Sequence, residues 1–201
     1  CEVENSSISY TDFSSLVQDD SSGRSVQAMG VKVSDMNLPG NEKYFITANL
    51  LRSVSLELAQ KKLVPEQTVI FPKRGAAIAT NKKRLTTAWT VLDPNLIGVR
   101  PLNGLDPEFL FYWFENFDLR TITEPGPTPQ LNKKNLVPLQ IAAPQQLEEQ
   151  KDIATIISKI DSSVSQHSQK ADRLTELFNE VLRLLMSGEI SVADLEPVPS
   201  L

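Results

Sequence analysis

The stretch Phe71–Arg84, FPKRGAAIATNKKR, concentrates side chains that bind negative charge. It holds five of the twenty basic residues of the chain in fourteen positions, and it contains no acidic residue. Lysine and arginine neutralise phosphate groups, and Arg, Lys, Asn and Gln hydrogen-bond the edges of bases. The pattern therefore predicts a site for a polyanion. Its basic members are Lys73, Arg74, Lys82, Lys83 and Arg84.

Gly75 and Asn81 extend this candidate site. Gly75 begins a run of small side chains that predicts a tight turn, which lets another backbone approach closely. Asn81 adds an amide that has both a donor and an acceptor. If a strand precedes the turn, two cationic clusters lie about one loop apart on rigid supports. The alternative is that these charges only solvate a hairpin, as most charged runs do.

A second group of cations follows the run Glu124–Asn132, EPGPTPQLN. Its three prolines and one glycine predict a loop with an extended backbone. Lys133 and Lys134 come directly after it. Two interpretations stay open: the run is a connector, or it holds its backbone and the two lysines against a ligand.

The chain contains no pattern that predicts catalysis, a metal site or a cofactor. His167 is the only histidine and has no cysteine near it in the sequence, so neither a zinc site nor a Ser-His-Asp triad is indicated. Gly-rich phosphate loops are absent from the sequence. Asp93-Pro94-Asn95 lacks the second proline and the aromatic residue of the Asp-Pro-Pro-Tyr motif of adenine methyltransferases. We therefore expect a non-catalytic protein without a cofactor.

Charge is distributed unevenly along the chain, whose net charge is −5. Residues 1–143 carry fifteen basic and fifteen acidic groups, whereas residues 144–201 carry five and ten. The acidic total therefore does not argue against a polyanion site in the first part, because the local field attracts the ligand. Cys1 is the only cysteine, which excludes an internal disulfide and makes a cytoplasmic setting the simplest expectation. Apolar runs are too short to predict a membrane span.

The elements that must position these cations are short. Residues 1–143 change pattern every eight to twelve residues and are interrupted by Pro and Gly, which is typical of strands and loops with a few helices. Asp106 as N-cap and Pro107 at the first helical position predict a helix whose aromatic residues face the core. The predicted strands are Thr68–Pro72, Leu85–Leu92, Leu96–Leu102 and Leu136–Ile141.

A long helix is predicted after these elements. Pro144 suits its first turn, and no further Pro or Gly occurs before Gly188, which is a good helix terminator. Within it, ten residues recur at alternating spacings of four and three, and nine of them are apolar. They are Ile153, Ile157, Ile160, Val164, His167, Ala171, Leu174, Phe178, Val181 and Leu185.

This heptad stripe predicts a coiled coil. A helix of roughly 40 residues spans about 60 Å and exceeds the globular part, so its stripe must pack against another long helix. That helix comes from a second copy of the chain or from a different protein. A polar residue such as His167 at a core heptad position more often sets the register than performs catalysis.

The order of these features resembles the specificity subunit of type I restriction-modification systems, namely one target-recognition domain and its long spacer helix. The most specific part of this resemblance is Glu149-Gln150 after Pro144, at the start of the helix. The resemblance covers about 130 of the 201 residues. The segments that carry it are VIFPKRGAAIATNKKR, DPEFLFYWF, PGPTPQLNKKNLVPLQIAAP, LEEQKDIATIISKIDSSV and LLMSGEISVADL.

The resemblance implies an α+β fold, with a mixed, mostly antiparallel recognition domain at 1–143, one long helix at 144–188 and a tail at 189–201. It implies a non-catalytic subunit that binds double-stranded DNA and directs adenine methyltransferase and restriction endonuclease subunits to a target. Family members usually carry two recognition domains and two helices, whereas this chain has one of each. It would then act as a half-subunit that dimerises, as part of a longer subunit, or as the recognition end of a methylase fusion. A coiled-coil adaptor that binds an acidic protein partner is the alternative class.

Overall fold

The computed structural model describes residues 1–16, 24–124, 126 and 128–192. The chain forms two compact units, Cys1–Ala154 and Thr155–Leu201. Residues 193–201 of the predicted tail lie outside the described residues, as do Pro125 and Pro127 of the proline-rich run. The domain boundaries expected at 143/144 and 188/189 stay a prediction.

Strands of the first unit form two sheets. The larger sheet has the order β1-β8-β5-β6-β3, and the smaller has the order β4-β2-β7. Only the β2-β7 and β3-β6 pairings are parallel among the six described, so the predicted mixed, mostly antiparallel fold is confirmed. The strands are β1 (Glu2–Glu4), β2 (Ser25–Val31), β3 (Tyr44–Phe45), β4 (Leu50–Ser55), β5 (Val69–Pro72), β6 (Arg84–Thr86), β7 (Trp89–Leu92) and β8 (Leu96–Arg100).

The helices are mostly short. The α-helices are α1 (Tyr10–Ser15), α2 (Leu56–Lys62), α3 (Pro107–Asn116), α4 (Lys133–Leu136) and α5 (Leu147–Ser187). The 3₁₀ helices are Val33–Asn37, Gly75–Thr80 and Leu119–Ile122. Among the described helices, none is both long and apolar enough to cross a membrane.

Helix α3 forms where the sequence predicts it. The Asp106 side chain accepts a hydrogen bond from the Phe109 amide at 3.0 Å, which satisfies one of the free donors of the first turn. Pro107 lies at the start of the helix, where its missing donor costs nothing. Leu110 and Phe114 are buried against β5 and β8, and the ring of Phe114 lies 5.3 Å from that of Phe71. The aromatic residues of α3 thus belong to the core.

Two strand predictions are wrong. Residues 84–92 form two strands rather than one, because β6 pairs within the larger sheet and β7 within the smaller one. Thr87, between them, turns its hydroxyl to the Phe45 carbonyl at 2.6 Å. The strand expected at Leu136–Ile141 is absent from the described structure, because Asn135 accepts from the Asn132 amide at 2.8 Å and starts α4. Pro138 then removes a donor that a strand would need.

A buried glutamine fixes the start of α5 in the first unit. Gln150 is 1 % exposed, and its amide nitrogen donates to the carbonyls of Gly104 at 2.9 Å and Pro144 at 2.8 Å. Its amide oxygen accepts from the Asp106 amide at 2.8 Å. The helix begins at Leu147 rather than at Pro144, whose carbonyl is held by this contact.

The second unit contains the rest of α5, which has 41 residues and ends before Gly188. Gly188 has a φ of +73° and donates to the Leu185 carbonyl at 3.2 Å, as expected for the terminating glycine. Apolar residues of the heptad stripe are exposed in the single chain, among them Ile160 at 59 % and Phe178 at 64 %. His167 Nδ1 lies 2.7 Å from the Ser163 carbonyl of its own helix.

Candidate nucleic-acid interface

Backbone pairing joins the two groups of cations that the sequence singles out. Gly75 N donates to the Pro129 carbonyl at 2.9 Å, and Leu131 N donates to the Lys73 carbonyl at 2.9 Å. Residues 73–75 and 129–131 thus form a short antiparallel pair, which we call the ribbon. Lys133 and Lys134 follow it directly at the start of α4. Residues 129–131 of the proline-rich run are therefore paired with the segment that carries Lys73 and Arg74.

The cations at the ribbon are accessible. Arg74, Lys133 and Lys134 are exposed, and Lys73 is half-buried with its amine 3.3 Å from the Asn5 side-chain oxygen. Burial lowers the pKa of Lys73, and the positive charge of Arg74 lowers it further. Lys134 pairs with Glu124 at 2.9 Å, but a pair this exposed is worth at most about 1 kcal/mol and exchanges readily for a phosphate.

The loop that begins at Gly75 differs from the predicted tight turn, although β5 and β6 on either side of it pair antiparallel. Gly75 has a φ of +65°, which favours glycine, and a Cβ placed there would meet nothing within 4 Å. The space in front of it is open to a ligand. The chain then enters the 3₁₀ helix Gly75–Thr80 rather than a tight turn, and Asn81 ends that helix with a φ of +53°.

Asn81 anchors the loop to the end of α3. Its side-chain oxygen accepts from the Leu119 amide at 3.0 Å, and its nitrogen donates to the Phe117 carbonyl at 3.4 Å. The prediction that Asn81 contacts DNA is therefore corrected, because both ends of its amide are engaged within the fold.

Lys83 is buried, which corrects the prediction that it contacts DNA. It is 0 % exposed, and its amine donates to the Phe117 carbonyl at 2.8 Å. Phe117 caps the carboxyl end of α3, where the helix dipole favours a cation. Burial lowers the pKa of Lys83, although the nearby carboxylates of Glu115 and Asp118 act in the opposite direction.

Arg84 is also a structural residue rather than a DNA contact. It is 9 % exposed and donates to the carbonyls of Lys83 at 2.6 Å and Met36 at 3.0 Å. Its Nε has no hydrogen-bond partner in the described part of the chain. Arg84 therefore ties β6 to the 3₁₀ helix Val33–Asn37. The prediction is corrected because a side chain held in this way cannot reach a ligand.

Lys82 alone of residues 81–84 keeps its charge at the surface. It is half-buried, and its amine donates to the side-chain oxygen of the exposed Asn37.

Gln130, which lies opposite Arg74 in the ribbon, is not among the predicted contacts. A glutamine can read base edges, so the residue type at position 130 is compatible with a DNA contact. The prolines around it indicate only a loop.

The role of Lys83 can be tested by unfolding. We expect Lys83→Ala to lower the free energy of unfolding by about 2–4 kcal/mol, because it leaves a cavity and removes the amine that donates to the Phe117 carbonyl. Lys83→Met keeps most of the volume and should cost less. Urea titration measures both, with the exposed Lys62→Ala as the control. A decrease no larger than that of the control would show that Lys83 is not buried in solution.

The first unit has an α+β fold that exposes the cations of the ribbon, and the long helix after it exposes an apolar stripe. Both features are typical of a protein that binds other macromolecules. Among the described residues, no group of three or more His, Cys, Asp or Glu side chains is arranged to hold a metal ion. The family model of the type I restriction modification DNA specificity domain matches residues 32–176. Because this match covers most of the chain, the protein belongs to that family.

Solved structures share the fold. The S subunit of a type I restriction-modification system from M. genitalium is 14% identical with a TM-score of 0.52, over 92% of this chain and 43% of that one. The HsdS subunit from Thermoanaerobacter tengcongensis is 17% identical with a TM-score of 0.51, over 86% and 42%. A chain from a structure of type I R-M system assembly and conformational transition is 19% identical with a TM-score of 0.56, over 80% and 36%. The protein thus spans less than half the length of each of these chains.

Proposed function

We propose that this chain is one DNA-recognition half of a type I specificity subunit. It binds double-stranded DNA through the ribbon and the adjoining lysines, and it performs no catalysis itself. Methyltransferase subunits that modify adenine, and a restriction endonuclease subunit, act at the site that it selects. The observation that carries the proposal is the backbone pairing that joins Arg74 to the segment leading into Lys133 and Lys134.

The second part of the proposal concerns the helix α5, which continues through the second unit. Its stripe pairs with the same stripe of a second copy, or with the helix of a second recognition half. Support comes from the exposure of Ile160, Val164 and Phe178, which leaves apolar area that a partner helix would bury. Such a pair sets the distance between two recognition domains and hence the gap between two half-sites.

Salt dependence tests the ribbon as the interface. We expect the triple variant Arg74→Ala, Lys133→Ala and Lys134→Ala to bind duplex DNA more weakly. The slope of log K against log salt should also become shallower by about 0.9 for each phosphate that the variant no longer neutralises. Fluorescence anisotropy at several salt concentrations measures both quantities.

A matched control removes the same charge elsewhere. Arg24, Lys61 and Lys62 are exposed beside the smaller sheet, just before β2 and at the end of α2. Their replacement by Ala should leave the slope close to that of the unaltered chain. Equal slopes for both triple variants would place the interface elsewhere. Equal binding of every duplex at physiological salt would favour the protein-adaptor alternative.

A further inference from the structure

The ribbon places two residues of base-reading type side by side. Arg74 and Gln130 are directly opposed in an antiparallel bridge. The flanking hydrogen bonds, Gly75 to Pro129 and Leu131 to Lys73, make this a pair without hydrogen bonds of its own. In such a pair the Cα atoms approach to about 4.5 Å. Side chains directly opposed in this way project from the same face.

The polar groups of both side chains lack partners among the described residues. In the part of the chain that the structure describes, no hydrogen bond or ion pair holds the Arg74 guanidinium or the Gln130 amide, and Arg74 is exposed. Other arginines are engaged: Arg100 pairs with Glu4 at 2.7 Å and Arg120 with Asp118 at 2.7 Å. The polar groups of Arg74 and Gln130 therefore remain available to a ligand.

The surroundings suit the approach of a duplex. A two-stranded β-ribbon fits the major groove of B-DNA. Glu124 bridges Gln130 on its other side, and its carboxylate is neutralised by Lys134 at 2.9 Å and accepts from Asn132 at 3.1 Å. Gly75 presents no side chain beside Arg74, and the space in front of it is open. Lys133 and Lys134 lie just beyond the ribbon and are suited to phosphates, which fix position but carry no sequence information.

The chemistry of the two side chains specifies different bases. The fork of an arginine donates two parallel hydrogen bonds to O6 and N7 of guanine, whereas a glutamine amide pairs with N6 and N7 of adenine. Opposed Cβ atoms lie about 4.5–5.5 Å apart, which is close to the spacing of neighbouring base pairs, about 3.4 Å. We infer that Arg74 and Gln130 read adjacent base pairs in the major groove, Arg74 a guanine and Gln130 an adenine.

This inference rests on the proposed function, and selection from a randomised duplex pool tests it. The full chain should enrich a sequence that contains a guanine next to an adenine. Arg74→Ala should reduce the preference for that guanine by about 5- to 150-fold and leave the adenine preference in place. Gln130→Ala should do the reverse. Arg74→Gln should change the preferred base at the first position from guanine to adenine.

Controls separate base reading from simple attraction. Lys133→Ala should weaken binding to all duplexes by the same factor without altering the enriched sequence. Since no hydrogen bond or ion pair links the side chains of Arg74 and Gln130 to the rest of the described residues, thermal melts of their variants should match that of the unaltered chain. If the Arg74 and Gln130 variants lose affinity uniformly and keep the same enriched sequence, the inference is wrong while DNA recognition by the chain stands. If the unaltered chain enriches no sequence, both fail.

Discussion

Replacement of Ile160 by Asp is expected to separate chains that are paired through α5. Ile160 lies in the middle of the heptad stripe and is 59 % exposed in the single chain, so pairing would bury it. An aspartate there would place an unpaired charge in an apolar seam, at a cost of several kcal/mol. Sedimentation velocity should show a dimer of the unaltered chain and a monomer of the variant.

The matched control is Ser162→Asp, which adds the same charge on the opposite side of the same helix. Ser162 is exposed and lies outside the stripe, so the variant should sediment as the unaltered chain does. Identical sedimentation of the Ile160 variant and the unaltered chain would contradict the pairing of two copies of this chain through the stripe. Dissociation of the dimer in both variants would mean that added charge alone, rather than the seam, controls association.

Gln150→Ala is expected to lower the free energy of unfolding by about 3 kcal/mol. The substitution removes the buried side chain that accepts from the Asp106 amide and donates to the carbonyls of Gly104 and Pro144. A hydrogen bond contributes about 1 kcal/mol, and the three are lost together. Gln150→Glu should also destabilise the fold, because a carboxylate oxygen would replace the nitrogen that faces two carbonyls.

Urea titration followed by tryptophan fluorescence measures this decrease. The control is Gln145→Ala, since Gln145 is exposed and should change stability by no more than about 0.5 kcal/mol. Equal stability of the two variants would mean that the hydrogen bonds of Gln150 do not contribute to the folded state in solution. The result would also bear on why Glu-Gln follows the proline at the start of this helix.

Local signals were sufficient for two helices. Asp106 and Pro107 predict the start of α3, and the stretch without Pro or Gly before Gly188 predicts α5 to within three residues at either end. Each of these signals acts within one or two helical turns. Caps, proline positions and apolar periodicity therefore suffice without knowledge of the tertiary fold.

The burial of Lys83 and Arg84 could not be predicted from local sequence signals. Their partners, the carbonyls of Phe117 and Met36, lie 34 and 48 residues away along the chain. A run of consecutive charges usually indicates a solvated surface. Here Lys83 and β6 are buried. Lys83 therefore caps the carboxyl end of α3, and Arg84 joins β6 to the 3₁₀ helix Val33–Asn37.

The ribbon was likewise beyond local reasoning. The Gly-Ala run predicts a tight turn, but the partner of residues 73–75 comes from more than fifty positions later in the chain. The bonds that join the two segments are all between main-chain atoms, and these carry no mark in the amino-acid sequence. The sequence therefore identified the cations of both segments without showing that they meet.

That same feature bears on how such a protein changes its target. Main-chain hydrogen bonds and the buried Leu131 hold residues 73–75 against 129–131, so the pairing does not depend on the side chains at 74 and 130. Point mutations at these two positions would carry little penalty in stability, whereas Asn81, Lys83 and Arg84 hydrogen-bond main-chain groups of the fold. With Arg74 and Gln130 as the base-reading pair that we infer, single substitutions there would give a new recognition sequence on an unchanged scaffold.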